Sequence, residues 1–230
     1  MRDDILSYRE MCDAEEVQTL QRGMNYRLWS TYSVVLMSQR GNAPYTDRVH
    51  EDGVTIEYEG HDVPRKAGLS TAPKAVDQSE RNELGKLTQN GLFKKAADDF
   101  KAGKRSAEKV KIYEKLYSGV WSLKGFFDLI DYKIAHDGNR NTYRFIMQLS
   151  EDPAYKSVKT EQILHTRVIP SEVKKAVYKR DKGQCQICGS KKNLHFDHDL
   201  PYSKGGSSIT AANVRLLCQK HNLEKSDKIQ

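Results

Sequence analysis

The 230-residue chain lacks most of what would place it in a membrane, an oxidising compartment or a low-complexity tract. No apolar run approaches the roughly 20 residues that a membrane helix needs. The first ten residues, MRDDILSYRE, hold no apolar stretch of the kind an export signal requires, so the cytoplasm is the expected setting. Six prolines and fifteen glycines are too few for a collagen-like or linker-like chain, and 37% hydrophobic with 30% charged residues is an ordinary globular composition. Cysteine is scarce: Cys12, Cys185, Cys188 and Cys218. Three cluster at one end and one is remote, which excludes a paired disulfide framework and makes the CxxC pair half of a metal site. An acidic excess is also missing. The formal charge is +7, from 38 Lys and Arg against 31 Asp and Glu. Residues 171–230 carry 12 basic against 6 acidic residues, a net of +6, which leaves 26 against 25 for residues 1–170. A polyanion is therefore expected at the C-terminal end.

The spacing of signals predicts an α+β chain of two domains. A leading helix is expected over residues 8–21, with Cys12 a buried thiol in it, and a buried strand over Tyr32–Ser38 (YSVVLMS). A turn at Asp52-Gly53 leads into a strand with Val54, Ile56 and Tyr58 on one face. Residues 62–82 have no clear period and read as a long loop. A helix interrupted near Asn90-Gly91 is expected over Asn82–Phe100. Strands follow at Lys109–Tyr117, Gly125–His136 and Asn141–Leu149, the last two joined through Asp137-Gly138-Asn139. This gives residues 1–152 as a domain built on a curved mixed sheet or barrel with a leading helix. Residues 153–170 form a polar linker, and residues 171–230 a small second domain. Ser171 is expected to cap a helix that exposes Lys174, Lys175, Lys179 and Arg180.

The second domain carries the chemistry. Cys185 and Cys188 stand two residues apart ahead of Gly189, and Cys218 and His221 repeat the gap. Three thiolates and an imidazole make a tetrahedral site of the composition typical of structural zinc. Between the pairs, LHFDHDLPYSKGGSSITAANVRLL reads as a strand ending at Asp197-His198, a loop through Pro201 and Gly205-Gly206, then Asn213 and an apolar helix start. His195 alternates to the other side of the strand and reads as a surface histidine.

In this order and spacing the segment resembles the HNH endonuclease family, whose ββα-metal fold cuts nucleic acid with one divalent ion. The resemblance implies His198 as general base, Asp197 as a ligand of Mg2+ or Mn2+, Asn213 as the residue that orients the base, and Asn222 as the second oxygen ligand. Asn222 stands where the family usually has histidine, and His221, taken as the fourth zinc ligand, stands where it more often has cysteine. Lys174, Lys204, Lys225 and Arg48 are candidate phosphate contacts.

Residues 30–150 resemble the SRA domain, also called YDG and related to PUA folds. The resemblance rests on SVVLMS, NAPYTDRV, EDGVTIEYEGHD, TQNGLF and the stretch from Val110 through Tyr113, Trp121, Gly125 and Phe127 to the closing hairpin. It implies a pocket for a flipped 5-methylcytosine or 5-hydroxymethylcytosine, with Tyr45 and Tyr58 stacking on the base and Asp47, or alternatively Asp52, reading its edge. The expected whole is a prokaryotic modification-dependent DNA endonuclease acting on double-stranded DNA, with a homodimer needed to cut both strands. A conventional sequence-specific HNH restriction enzyme and a non-catalytic zinc-stabilised DNA-binding protein are the alternatives.

Overall fold

The computed structural model describes residues 3–20, 23–28, 31–41, 43–64, 72–152, 169–199 and 210–225. In chain order its strands are β1 (Asp3–Leu6), β2 (Met24–Asn25), β3 (Ser33–Met37), β4 (Arg48–Val49), β5 (Thr55–Glu59), β6 (Glu108–Tyr117), β7 (Val120–His136), β8 (Asn141–Leu149), β9 (Leu194–His198) and β10 (Val214–Cys218). Its helices are α1 (Tyr8–Ala14), α2 (Gln89–Lys101), α3 (Ser171–Arg180) and α4 (Gln219–Lys225). The α+β class is as expected. No helix among the described residues is long and apolar enough to cross a membrane. The 153–168 segment of the expected linker lies outside the described residues.

Two compact units make up the chain. The central unit comprises residues 20–112 and 126–150, and the terminal unit residues 1–19, 113–125 and 151–230. The contiguous division at 1–152 and 171–230 differs from this in two places. Both the leading residues and the tip of the β6–β7 hairpin count with the C-terminal residues.

In the central unit β8 lies between β7 and β5, with β4 beyond β5. The β7–β8 register runs from Phe127↔Leu149 to His136↔Asn141, with a bulge at Leu129/Asp131 that bends the longer strand. Asp137 sets the turn by accepting the amides of Asn139 (2.9 Å) and Arg140 (3.0 Å). Core residues include Val35, Ile56, Phe93, Ile112, Phe127 and Phe145. Each such side chain contributes about 1.5 to 3 kcal/mol on burial. The expected helix interruption at Asn90-Gly91 does not occur. The Thr88 hydroxyl accepts the Gly91 amide (3.2 Å) and starts α2 at Gln89, so both residues lie in its first turn. Gly91 is required there, because a Cβ would meet the Glu80 carbonyl oxygen at 2.3 Å. On β5 the alternation is not apolar-in, polar-out: Glu57 and Glu59 are buried as well as Ile56 and Tyr58.

In the terminal unit the strand order is β10-β9-β1-β7, with antiparallel registers. Val214 faces His198, Leu216 faces Phe196 and Cys218 faces Leu194, while Asp3 and Ile5 face Phe196 and Leu194 from the other side. Two expectations are corrected here. The leading helix is only α1, begun by a Ser7/Glu10 capping box and left behind where Glu16 takes φ 53°, and a strand precedes it. The apolar residues after Asn213 form strand β10, not a helix. Their alternating side chains pack on α3, whose Val173 and Val177 share the core with Leu194, Phe196, Leu216 and Leu217. Ser171 is the first residue of α3, after Pro170, and caps nothing with its side chain.

Candidate functional site

The turn after α3 builds the first half of a cluster that could hold a metal ion. The Cys185 amide donates to the Ser190 carbonyl (2.8 Å) and the Gly189 amide to the Cys185 carbonyl (2.8 Å), and Gly189 supplies the φ of 72° that closes the knuckle. The second half comes from the β10–α4 junction, where Cys218 ends the strand and His221 follows one turn into the helix. The four ligand atoms lie within 4.8 Å of one another. His221 Nδ1 is 3.4 Å from Cys185 Sγ and 3.3 Å from Cys218 Sγ, and the Cys188 and Cys218 sulfurs are 3.8 Å apart. A tetrahedral zinc with Zn–S bonds of about 2.3 Å implies S···S separations of about 3.8 Å, so the donor set fits such an ion in composition and in size. Burial pushes the Cys185 thiol up. The amides of Cys218, Cys188 and Ile187 and the His221 ring outweigh that and bring it down to about 6, toward the thiolate that binds metal.

The end of the β9–β10 hairpin brings the expected chemical residues together. Asp197 and His198 close β9. Asn213 ends a short 3-10 turn directly before β10, and its carbonyl accepts the Asp199 amide (2.9 Å), which fixes it against the residue after His198. Helix α4 packs on both strands and carries Asn222. Asn222 is buried, and its Nδ2 has no hydrogen-bond partner among the described residues. A carboxylate and a carboxamide are oxygen donors of the kind that suits Mg2+ or Mn2+.

Sequence reasoning gave two lysines the wrong setting. Lys174 is 0% exposed and donates to the Ser122 hydroxyl (3.1 Å), so it is not a phosphate contact on a helix surface. Its charge is compensated by Glu114, whose carboxyl burial pushes up and the ammoniums of Lys124 (3.0 Å) and Lys174 hold below the ordinary carboxylate range. Lys225 is 1% exposed, and its ammonium donates to the Asp197 carboxylate and the His198 carbonyl. It is thus a member of the site and not a surface contact. His195 is likewise buried, as are its neighbours Leu194 and Phe196, so this part of β9 is covered on both faces. Lys204 and the Pro201–Gly206 loop lie outside the described residues.

In the central unit Arg48 stays at the surface, paired with Glu57 (2.8 Å). Asp52 caps its own turn, accepting the Val54 and Thr55 amides (2.9 Å each). Asp47 is buried, with its two oxygens accepting the Ser38 amide (2.9 Å) and the Glu59 amide (3.1 Å). Burial pushes its carboxyl up to about 7 against the pull of those amides. Tyr58 is 2% exposed inside the core, with its hydroxyl directed at the Leu36 carbonyl (3.4 Å), so its ring presents no open face. Tyr45 is half-buried, and the Lys74 ammonium stands 4.7 Å from its ring centre. Around these lies a polar network that the sequence reading missed. Glu59 accepts from the Thr46 amide (2.8 Å) and pairs with Arg144 (3.2 Å) and Arg140 (3.6 Å), and Arg140 also pairs with Asp62 (2.5 Å). The sequence signal was the run of acids in EYEGHD, with Arg144 in β8 and Arg140 just before it.

Three solved structures are similar in outline. The modification-dependent TagI restriction endonuclease matches with 17% identity and a TM-score of 0.42, over 95% of this chain and 74% of that chain. The SUVH5 SRA domain complexed with methylated CHH DNA matches with 12% identity and a TM-score of 0.44, over 64% and 86%. KRYPTONITE in complex with mCHG DNA and SAH matches with 16% identity and a TM-score of 0.40, over 69% and 33%. No curated protein sequence matches the chain. Residues 185–228 match the family model described as HNH endonuclease, and these residues span the cysteine–histidine cluster, strands β9 and β10, and α4.

Proposed function

We propose that the protein is a modification-dependent DNA endonuclease, in which the central unit reads 5-methylcytosine or 5-hydroxymethylcytosine and the terminal unit hydrolyses a phosphodiester bond nearby. The observation that carries the reading is the meeting of Asp197, His198 and Asn213 at one hairpin end, beside a cluster fit for structural zinc. The concentration of excess positive charge in residues 171–230 supports a polyanionic substrate. The resemblance of residues 30–150 to the SRA domain supports the modified base.

Cys185, Cys188, Cys218 and His221 hold the zinc that keeps α4 against the hairpin. Asp197 and Asn222 would hold a magnesium or manganese ion, which would supply charge stabilisation at the scissile phosphate and the leaving oxygen. His198 takes a proton from a water placed in line with the scissile bond, a task for which an imidazole is the usual side chain. Asn213 fixes the main chain beside His198 and so its orientation. Extruding the base costs a few kcal/mol, which contacts in the pocket return. Two protomers on one duplex account for cleavage of both strands.

Tyr58 supports a second reading. A ring enclosed in the core is not offered to a base, and this favours a conventional sequence-specific HNH enzyme. Matched duplexes that are unmodified, methylated and hydroxymethylated, digested with Mg2+ or Mn2+, separate the two. Cleavage confined to modified duplexes is the expected result, and equal cleavage of all three removes the modified-base reading. His198→Ala should lower the rate by about 10^2 to 10^4 with duplex binding retained.

A further inference from the structure

We propose that Lys225 is a positioning residue of the nuclease site. It rests on the endonuclease reading above and adds a residue to it. The ammonium is buried at 1% exposure, a setting in which a charge persists only when compensated and hydrogen-bonded. Its two described acceptors belong to adjacent residues of the site, the Asp197 carboxylate and the His198 carbonyl. Among the described residues the contact engages one carboxylate oxygen, Oδ2, while Asp197 keeps a side-chain exposure of 17%. The contact therefore fixes the plane of the carboxylate and leaves its other oxygen for a ligand.

The element carrying Lys225 gives the contact its meaning. Lys225 lies three residues after Asn222 and four after His221, so it stands on the same side of α4 as each of them. The helix thus delivers a zinc ligand, a carboxamide and an ammonium to the same side. His221 ties the start of the helix to the cysteine cluster, and Lys225 ties its last turn to the end of β9. Between these two ties sits Asn222. Lys225 thereby sets where Asp197 and His198 stand relative to Asn222, and it acts through them without touching the substrate. A group that orients a metal-binding carboxylate influences metal affinity as well as rate.

The test uses the full-length, zinc-loaded protein and two variants, Lys225→Met and Lys225→Arg. Four quantities are measured: zinc content, duplex affinity, Mn2+ affinity without DNA by calorimetry, and the single-turnover rate at saturating Mn2+. For Lys225→Met the expected result is full zinc content and parent-like duplex affinity, with Mn2+ affinity and cleavage rate each reduced about 10- to 100-fold. Unchanged Mn2+ affinity and rate overturn the assignment. Tighter Mn2+ binding also overturns it, because the ammonium then masks the carboxylate instead of orienting it. If Lys225→Met loses its zinc, Lys225→Arg decides. A guanidinium is planar and bulkier than an ammonium and cannot sit where the ammonium sits without displacing the two acceptors, so its rate should fall about tenfold with zinc retained. A parent-like rate and parent-like Mn2+ affinity in this variant overturn the proposal. A parent protein that cuts while the variants match it sinks the Lys225 assignment alone, whereas a parent that neither binds Mn2+ nor cuts sinks the nuclease reading and this one with it.

Discussion

Asp47 is held in the folded chain at the expense of its charge. Burial raises its carboxyl to about 7, above the roughly 4 of an exposed aspartate, although two amides favour the ionised form. Between those two pH values the folded chain binds more protons than the unfolded one. The stability contributed by Asp47 is therefore complete below about pH 4 and is lost as pH rises through about 7. Thermal unfolding followed between about pH 5 and about pH 8 should show this decline in the parent and a flatter profile in Asp47→Asn. Equal slopes in the two proteins exclude Asp47 as its source. The clustering of Cys185, Cys188, Cys218 and His221 was readable at this scale because two CxxC-like gaps leave few other roles for the residues. Lys174 and Lys225 were not. Nothing in KKAVYKR or HNLEK says which lysine turns inward, and the acids that compensate them, Glu114 and Asp197, lie on distant strands.

Among the elements, α4 depends most on what lies outside it. Seven residues cannot hold a helix in water without tertiary support, and α4 is anchored through His221 at the cysteine cluster. Structural zinc contributes on the order of 10 kcal/mol to small folds that depend on it. Chelation should accordingly lower the melting temperature and abolish cleavage, with activity returning on zinc plus Mg2+ but not on Mg2+ alone. Recovery with Mg2+ alone would show that the cluster is not structural. Phe196→Ala, at the centre of the β9 register, should cost about 3 to 5 kcal/mol in denaturant unfolding, and a loss under 1 kcal/mol would disprove its place in the core. Strands with alternating or dense apolar residues, β3, β6, β8 and β9, were legible in the sequence. Strand β10 was misread because five apolar-rich residues suit a helix and a strand equally, and the choice is made by the neighbouring β9. Strand β1 was missed because DDIL has no strand signature of its own. Its conformation comes from the two strands that flank it.

For the molecule as a whole, the charge imbalance and the two units make separable demands. Attraction between residues 171–230 and phosphates is indifferent to sequence and weakens with salt by a slope of about 0.9 per phosphate neutralised. Reading a base depends on contacts that are not ionic. Affinities for modified and unmodified duplexes should thus fall in parallel as salt rises, leaving their ratio constant in a titration. A ratio that collapses with salt would place the discrimination in the charged surface. The basic C-terminal end and its nuclease-like motif were visible in the sequence, from the charge count and the cysteine spacing. The assignment of residues 1–19 and 113–125 to the terminal unit was not, since it rests on strand pairings between segments more than a hundred residues apart.

Strand β9 has a neighbour on each side, and the one nearer the start of the chain is β1. Its amides should consequently be among the slowest in the terminal unit to exchange with deuterium. Deleting residues 1–6 would turn β9 into an exposed sheet edge, so that an N-terminal fusion or trimming, remote from the nuclease in sequence, acts directly on the strand that carries Asp197 and His198.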